Sequence, residues 1–313
     1  MFYCLNKSPD GETSVFINRT MVQRYTTPAE PPVLTMREPK SDPSVFCGPK
    51  LKFARAMKHI REVEFLIASR NAEDYYGLTK EMDPETGDNV YRVVIKKPER
   101  PDEYSSIIGD AVHNLRCVLD YLVCDLIRSN GNEPGGNSGL PIDKRPYRYK
   151  PGRVPKISGV SPKAERILLR LKAGPQINRA LYALHMLDIM DKHNTIVTTA
   201  AATVDITAKV GIPGFFKGAD GNIRVLGPGP GGVPFMVDAG IPAQYRSVFP
   251  LANNMEIYRS PAGFLEEISV DVDVVFGRGE LTTGAEGLPV VTILLELASL
   301  VERTIELLER RAI

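Results

Sequence analysis

The stretch Gly109-Asp110-Ala111-Val112-His113-Asn114-Leu115-Arg116-Cys117-Val118-Leu119-Asp120 packs two acids, a histidine, an arginine and a thiol into little more than three helical turns. At about 100° per residue, Asp110, His113, Cys117, Asp120 and Cys124 fall on one stripe, roughly opposite a stripe of Ile108, Val112, Leu115, Leu119, Leu122 and Leu126. A helix with an apolar face and a second, selectively polar face is expected to be covered on both. Its counterpart is Leu187-Asp188-Ile189-Met190-Asp191-Lys192-His193-Asn194, where Asp188 and Asp191 continue the line of Ile177, Leu181 and Leu184. These carboxylates therefore point where the core residues point, and unpaired burial of a carboxylate costs several kcal/mol.

Two chemistries fit this set. In the first, His113, Arg116 and His193 supply the compensating donors. Arg116 then grips Asp188 or Asp191 with both arms of its guanidinium and fixes the register of two helices. In the second, His113, Arg116, Asp120, Asp188, Asp191 and His193 form a catalytic cluster, acting as an acid–base pair or around a metal-bound water. The sequence has no His-Glu-x-x-His or other strict metal spacing, no Gly-x-Ser-x-Gly elbow and no phosphate loop. Neither a cofactor nor a resident metal is expected, and the structural role is the favoured one.

Several segments together resemble a family of uncharacterised bacterial proteins of actinobacterial type. They are the Gly-Asp-x-x-His-Asn-Leu-Arg-x-x-Leu-Asp helix, the Asp83-Pro84-x-Thr86-Gly87 turn, Leu140-Pro141-Ile142, Gly159-Val160-Ser161-Pro162 and Asp191-Lys192-His193. The resemblance covers the chain from about Lys50 onward and implies no particular activity. The chain departs from that pattern at Tyr121, where a histidine is common, and at Asn194, where an arginine is. Both changes remove groups that catalysis or phosphate binding would use. Arg179 and His185 also satisfy the Arg-x4-6-His spacing of HEPN-type ribonucleases, which are helical bundles; that likeness implies arginine holding phosphate charge and histidine moving a proton.

A basic segment, with Lys144, Arg145, Tyr147, Arg148, Tyr149, Lys150 and Arg153, continues into Lys156, Lys163, Arg166, Arg170 and Lys172 with Glu165 interrupting it. Cations for phosphates and tyrosines for bases make it a candidate for weak nucleic-acid binding. The plainer expectation is a solvated loop.

The elements that position these groups can be read from periodicity. A helix is expected from Gly48-Pro49 to about Asn71, then a hairpin from Tyr75 to Met82 and Val90 to Ile95 around Asp83–Asp88. The leucine-striped helix is expected to be capped by Ser105 or Ser106 and stopped at Asn130-Gly131. Ser161-Pro162 opens a short helix, Ile177 to His193 forms another, and a last one from Pro289 buries Leu294, Leu297, Val301, Ile305 and Leu308. Between these two, Val204 to Val210 and Ile268 to Val274 alternate as strands, with Gly227–Gly232 as loop and Asp271 and Asp273 on a solvated face.

The expected fold class is α+β. It is a helical bundle of four to five helices, a β-hairpin after helix one and a β-rich insertion before the last helix. The expected organisation is a proline-rich extended arm over 1–47 and one domain over 48–313, in which 48–198 and 288–313 form the bundle and 199–287 the insertion. The 313 residues, 43% of them hydrophobic, suffice for a real core, and 39 basic against 38 acidic residues leave no global field to draw the molecule onto nucleic acid or lipid. Met1 to Asp10 lacks a signal-peptide pattern and Glu296 interrupts the most apolar stretch, so a cytoplasmic protein is expected, with no membrane partner and with homo-oligomerisation open. Cys4, Cys47, Cys117 and Cys124 are unpaired in pattern and expected to be reduced and buried.

Overall fold

The computed structural model of the chain describes residues 2–7, 13–18, 46–72, 75–97, 101–144, 150–171, 173–174, 177–193, 199–217, 223–225, 233–239, 250–261, 266–277 and 287–312. It divides into two compact units. One comprises 34–67, 100–199 and 275–313 and is helical; the other comprises 1–33, 68–99 and 200–274 and holds the sheets. The fold is α+β, with a hairpin directly after the first helix.

The helical unit contains α1 (Cys47–Ala72, whose last turns belong to the other unit), α2 (Pro101–Ser129), α3 (Pro162–Leu171), α4 (Arg179–His193) and α5 (Val290–Arg311). The leucine stripe of α2 is its axis. Ile108, Val112, Leu115, Leu119, Leu122 and Leu126 are all essentially without solvent contact, as are Leu181 and Leu184 of α4 and Leu294, Val301 and Leu308 of α5. α2 begins at Pro101 rather than at a serine cap, because a proline in the first turn gives up an N–H that no helix would use. Its end is as expected. Gly131 takes φ of 78°, and the Asn132 N–H turns back to the Ile127 carbonyl. Ser161 caps α3 by accepting the Ala164 N–H at 3.2 Å, and Asn178 caps α4 through the Leu181 N–H at 3.3 Å. That cap places Ile177 outside α4 and 53% exposed, so it does not belong to the core line assigned to it.

In the other unit, β3 (Tyr76–Met82) and β4 (Asn89–Ile95) pair antiparallel with Met82 opposite Asn89. The Asp83 carboxylate accepts the Glu85 and Thr86 N–H groups, Gly87 at φ of 76° closes the turn, and the Arg259 guanidinium holds the Asp83 carboxyl down at about 2. A lone hairpin is marginal in water. Here β8 (Glu256–Ser260) completes it as β3-β4-β8, so the hairpin and part of the later β segment are one sheet. The second sheet runs β2-β1-β9-β5-β6 with β7 also on β5. Its members are β1 (Phe2–Lys7), β2 (Thr13–Asn18), β5 (Thr199–Lys217), β6 (Ile223–Val225), β7 (Val233–Ala239) and β9 (Glu266–Phe276). The N-terminal segment, expected as an extended arm, thus starts as a paired hairpin whose first strand lies against β9. The alternating Ile268, Val270 and Val272 of β9 are buried together with Leu78, Tyr91, Val93, Ile257 and Tyr258 of the smaller sheet. The glycine-rich 227–232 loop lies outside the described residues.

Because Leu119 is 1% exposed at the centre of the helical unit, Leu119→Ala should cost about 2 to 5 kcal/mol in denaturant unfolding, and an unchanged midpoint would remove α2 from the core.

Candidate functional site

The α2–α4 contact carries most of the candidate residues, and it resolves them into two neighbouring locks rather than one cluster. In the first, the Asp188 carboxylate, 5% exposed, receives His113 Nδ1 at 3.0 Å on one oxygen and Lys192 Nζ at 2.8 Å on the other. In that contact His113 Nδ1 is the nitrogen turned to the carboxylate, and Nε2 points away from it. The His113 side chain is 37% exposed. Asp191, half-buried one turn nearer the end of α4, lies against the α2 backbone at Gly109. A Cβ at Gly109 would sit 2.6 Å from Asp191 Cγ, so only glycine admits this carboxyl. Burial, then the nearby charges of Asp110 and Asp188, pushes the Asp191 carboxyl up, while His113 and Lys192 pull the other way.

The second lock overturns the pairing expected for Arg116. Its guanidinium does not reach Asp188 or Asp191. Arg116 Nη1 donates to Asp120 at 2.7 Å, one turn along the same helix, and Nη2 donates to the Leu140 carbonyl at 3.3 Å. The same Asp120 oxygen accepts the Leu140 N–H at 3.0 Å. At i and i+4 the two side chains meet without any help from a second helix, and the free amide and carbonyl of Leu140 complete both. Again a glycine makes room: a Cβ at Gly139 would lie 2.9 Å from Asp120 Cγ. Arg116 and Asp120 therefore clamp the loop after α2 onto α2 itself, with Leu140 buried beneath it.

Sequence reasoning missed Lys192, Lys52 and Asn114 as participants, and singled out His185 only as the partner of Arg179. Lys192 completes Asp188, as its i+4 position on α4 could have suggested. Lys52 of α1 donates to Asn114 at 3.3 Å and lies 5.9 Å from the Tyr121 ring centre, and no local signal foretold that long-range contact. Asn114 in turn donates to the Asp110 carbonyl at 2.7 Å. His185, one turn before Asp188, is half-buried, and its Nδ1 is buried without a partner. Burial and then the Arg116 charge, with Lys156 and Lys192 behind it, drive its imidazole down to about 4.

His113 and Asp188 alone have the form of an oriented general base, and Cys117 stands beside them. The sulfur is 3.4 Å from Nε2 and 3.9 Å from Nδ1. Near-equal distances to both nitrogens put it over the ring face, not in the ring plane in line with Nε2, where a thiol would hand over its proton. Burial also pushes the Cys117 thiol up, away from the thiolate that reacts. The cysteines differ from the expectation of burial, since Cys47 is exposed and Cys117 and Cys124 are half-buried; all three are free.

Of the remaining candidates, His193 ends α4 but its side chain is outside the described residues, as are Arg145, Tyr147, Arg148 and Tyr149. Lys144, Lys150 and Arg153 are exposed. Arg179 is exposed at the first residue of α4. His185 follows about 9 Å along the axis and about 120° around it, so the two do not share a face. Among the described residues, no three His, Cys, Asp or Glu side chains converge as metal ligands.

Two outcomes test this geometry. Gly109→Ala should lose about 1 to 2 kcal/mol despite the better helix propensity of alanine, because the Asp191 carboxyl must move; with Asp191→Ala already in place it should instead gain about 0.5 to 1 kcal/mol. Equal effects in both backgrounds would separate Asp191 from Gly109. His185 titrates near 6.5 when unfolded and at about 4 in the fold, so between those values the unfolded chain binds a proton that the fold refuses. Its contribution is intact above pH 6.5, falls as pH drops toward 4 and then levels. The denaturant midpoint should therefore drop less between pH 7 and 4.5 in His185→Gln than in the parent, and an equal drop would assign the acid sensitivity elsewhere.

No protein-family model matches the chain, and neither the curated proteins nor the solved structures contain a significant match.

Proposed function

We propose that the chain is a non-enzymatic cytoplasmic binding protein, in which the helical unit is a rigid scaffold and the basic segment after α2 meets an anionic partner of the nucleic-acid class. The observation that carries this is internal pairing. The two buried charges of the α2–α4 contact, Arg116 and Asp188, take their partners, Asp120, Leu140, His113 and Lys192, from within the chain. A reactive centre keeps capacity for a substrate, whereas these groups are consumed by holding helices and a loop in register. The cations are disposed otherwise. Lys144, Lys150, Arg153, Lys156, Arg166 and Arg170 are exposed, and the Glu165 carboxylate among them is occupied by the Gly152 N–H at 2.6 Å.

A second function, a HEPN-like ribonuclease or a metal-dependent hydrolase, is favoured by one observation: the Asp188-oriented His113, whose side chain is 37% exposed with Nε2 uncommitted to a carboxylate.

One experiment separates them. Single-stranded RNA titrated with the full chain should bind weakly, with affinity falling steeply as salt rises, and should be recovered intact. Neutralising Lys144, Arg145, Arg148, Lys150 and Arg153 together should abolish binding; retained affinity would refute the basic surface. Cleavage of the RNA that is lost in a folded His113→Gln variant would displace the binding function in favour of the catalytic one.

A further inference from the structure

Resting on the nucleic-acid reading above, we infer that the partner is held by its phosphate backbone on a platform of two pieces, the 150–153 turn and the solvent face of α3, and that Glu165 is the positioning residue that joins them. Lys150-Pro151-Gly152-Arg153 closes tightly. The Arg153 N–H donates to the Lys150 carbonyl at 3.1 Å, and Gly152 takes φ of 71° after a proline whose own φ is fixed. Such a turn brings its two terminal cations, Lys150 and Arg153, to within about 7 Å of each other at Cα. The Gly152 N–H donates to the Glu165 carboxylate at 2.6 Å, so the turn is pinned to the first turn of α3.

The helix supplies the rest. Ala164 and Leu168 of α3 are buried, whereas Lys163, Arg166 and Arg170 are exposed and share an arc of about 60° on the other side. Arg166 Nε donates to the Pro162 carbonyl at 3.2 Å, which lays the side chain along the first turn, where the loop is pinned. Among the described residues, no carboxylate lies within ion-pair reach of Lys150, Arg153, Lys156, Arg166 or Arg170. From Lys163 to Arg170 the stripe runs about 10 Å along the axis. That is the length of about three stacked nucleotides of one strand at about 3.4 Å each, so three cations meet about as many phosphates. The surroundings of these cations select the polyanion. Residues 150–171 contain no aromatic, asparagine or glutamine to stack on a base or read an adenine edge. Among the described residues, no large apolar side chain of that stretch is exposed to enter a lipid surface. A chain of phosphates is what such a surface fits.

Anisotropy titrations of the full chain with a single-stranded RNA and with the DNA of the same sequence should give affinities within about threefold of each other. Arg166→Ala and Arg170→Ala together should weaken binding about tenfold or more and flatten the slope of log affinity against log salt by about 1 to 1.5, the share of two phosphates. Glu165→Ala removes a negative charge and should nevertheless weaken binding about three- to tenfold, because the turn is released. Glu165→Gln, whose side-chain carbonyl still accepts the Gly152 N–H, should bind at least as tightly as the parent. Far-ultraviolet circular dichroism should be unchanged in all of these variants. Full binding by the double arginine variant, where neutralising Lys144, Arg145, Arg148, Lys150 and Arg153 abolishes it, would overturn the platform and leave the nucleic-acid reading standing. A preference of about tenfold or more for RNA over DNA would do the same by placing recognition at the sugar. A parent chain that binds neither strand, or binds only vesicles containing phosphatidylserine, would overturn both. Tightening by Glu165→Ala as large as that by Glu165→Gln would reduce Glu165 to a charge and end its positioning role.

Discussion

A carboxylate taken out of water must be answered at once, and Asp188 is the place in the helical unit where this demand shapes the most structure. Its burial at 5% exposure would cost several kcal/mol unrelieved. Relief comes from two directions that cannot vary independently: His113 from α2, and Lys192 from the next turn of its own helix. The first ties α4 to α2 at one register. The second pairs the carboxylate from the solvent side, because the lysine stem spans from the buried oxygen to water. A hydrophobic pair in the same position would hold the helices together, but would tolerate a slip of one turn. The His113–Asp188 contact does not, since a slip would leave the buried carboxylate without its partner on α2.

The glycines make the same point from the backbone. Gly109 and Gly139 would each collide, if given a Cβ, with an aspartate, and in neither case does a left-handed backbone enter the argument. Gly109 lies in the interior of α2, where glycine weakens a helix by about 1 kcal/mol against alanine. Here it goes with the close approach of the Asp191 carboxyl, which a Cβ at this position would displace. Gly139 lets Asp120 reach the Leu140 amide, so the Arg116–Asp120 pair becomes a clasp over the loop and not merely an i, i+4 contact on a helix surface. Asp120 and Asp191, the glycines that admit them and the Arg116 guanidinium thus help define where α4 and the post-α2 loop meet α2.

Much of this was legible from the order of residues. The leucine stripe of α2, the Asn130-Gly131 stop, the Ser161 cap and the β3–β4 hairpin follow from local rules, and each stands where those rules put it. Polar partners were legible as a set but not as pairs. Helical phase shows that His113, Arg116, Asp120, Asp188 and Asp191 all approach one contact; it does not show that Arg116 turns along α2 to Asp120 while His113 takes Asp188. That choice depends on side-chain reach within a turn and on Leu140, whose amide and carbonyl come from a loop with no periodicity. The same holds for β8, which joins β4 across 160 or so residues of sequence, a pairing that a long-range apolar core decides and a window of residues cannot.

The arrangement leaves a gradient of commitment across the site. Asp188 and Arg116 are buried and paired within the chain; Asp191 and His185 are half-buried, and burial is the largest influence on each, up for the carboxyl and down for the imidazole; His113 and Lys192 reach solvent. In this chain the polar atom left without a partner lies inward, at Nδ1 of His185, while the outward His113 and Lys192 are both paired with Asp188.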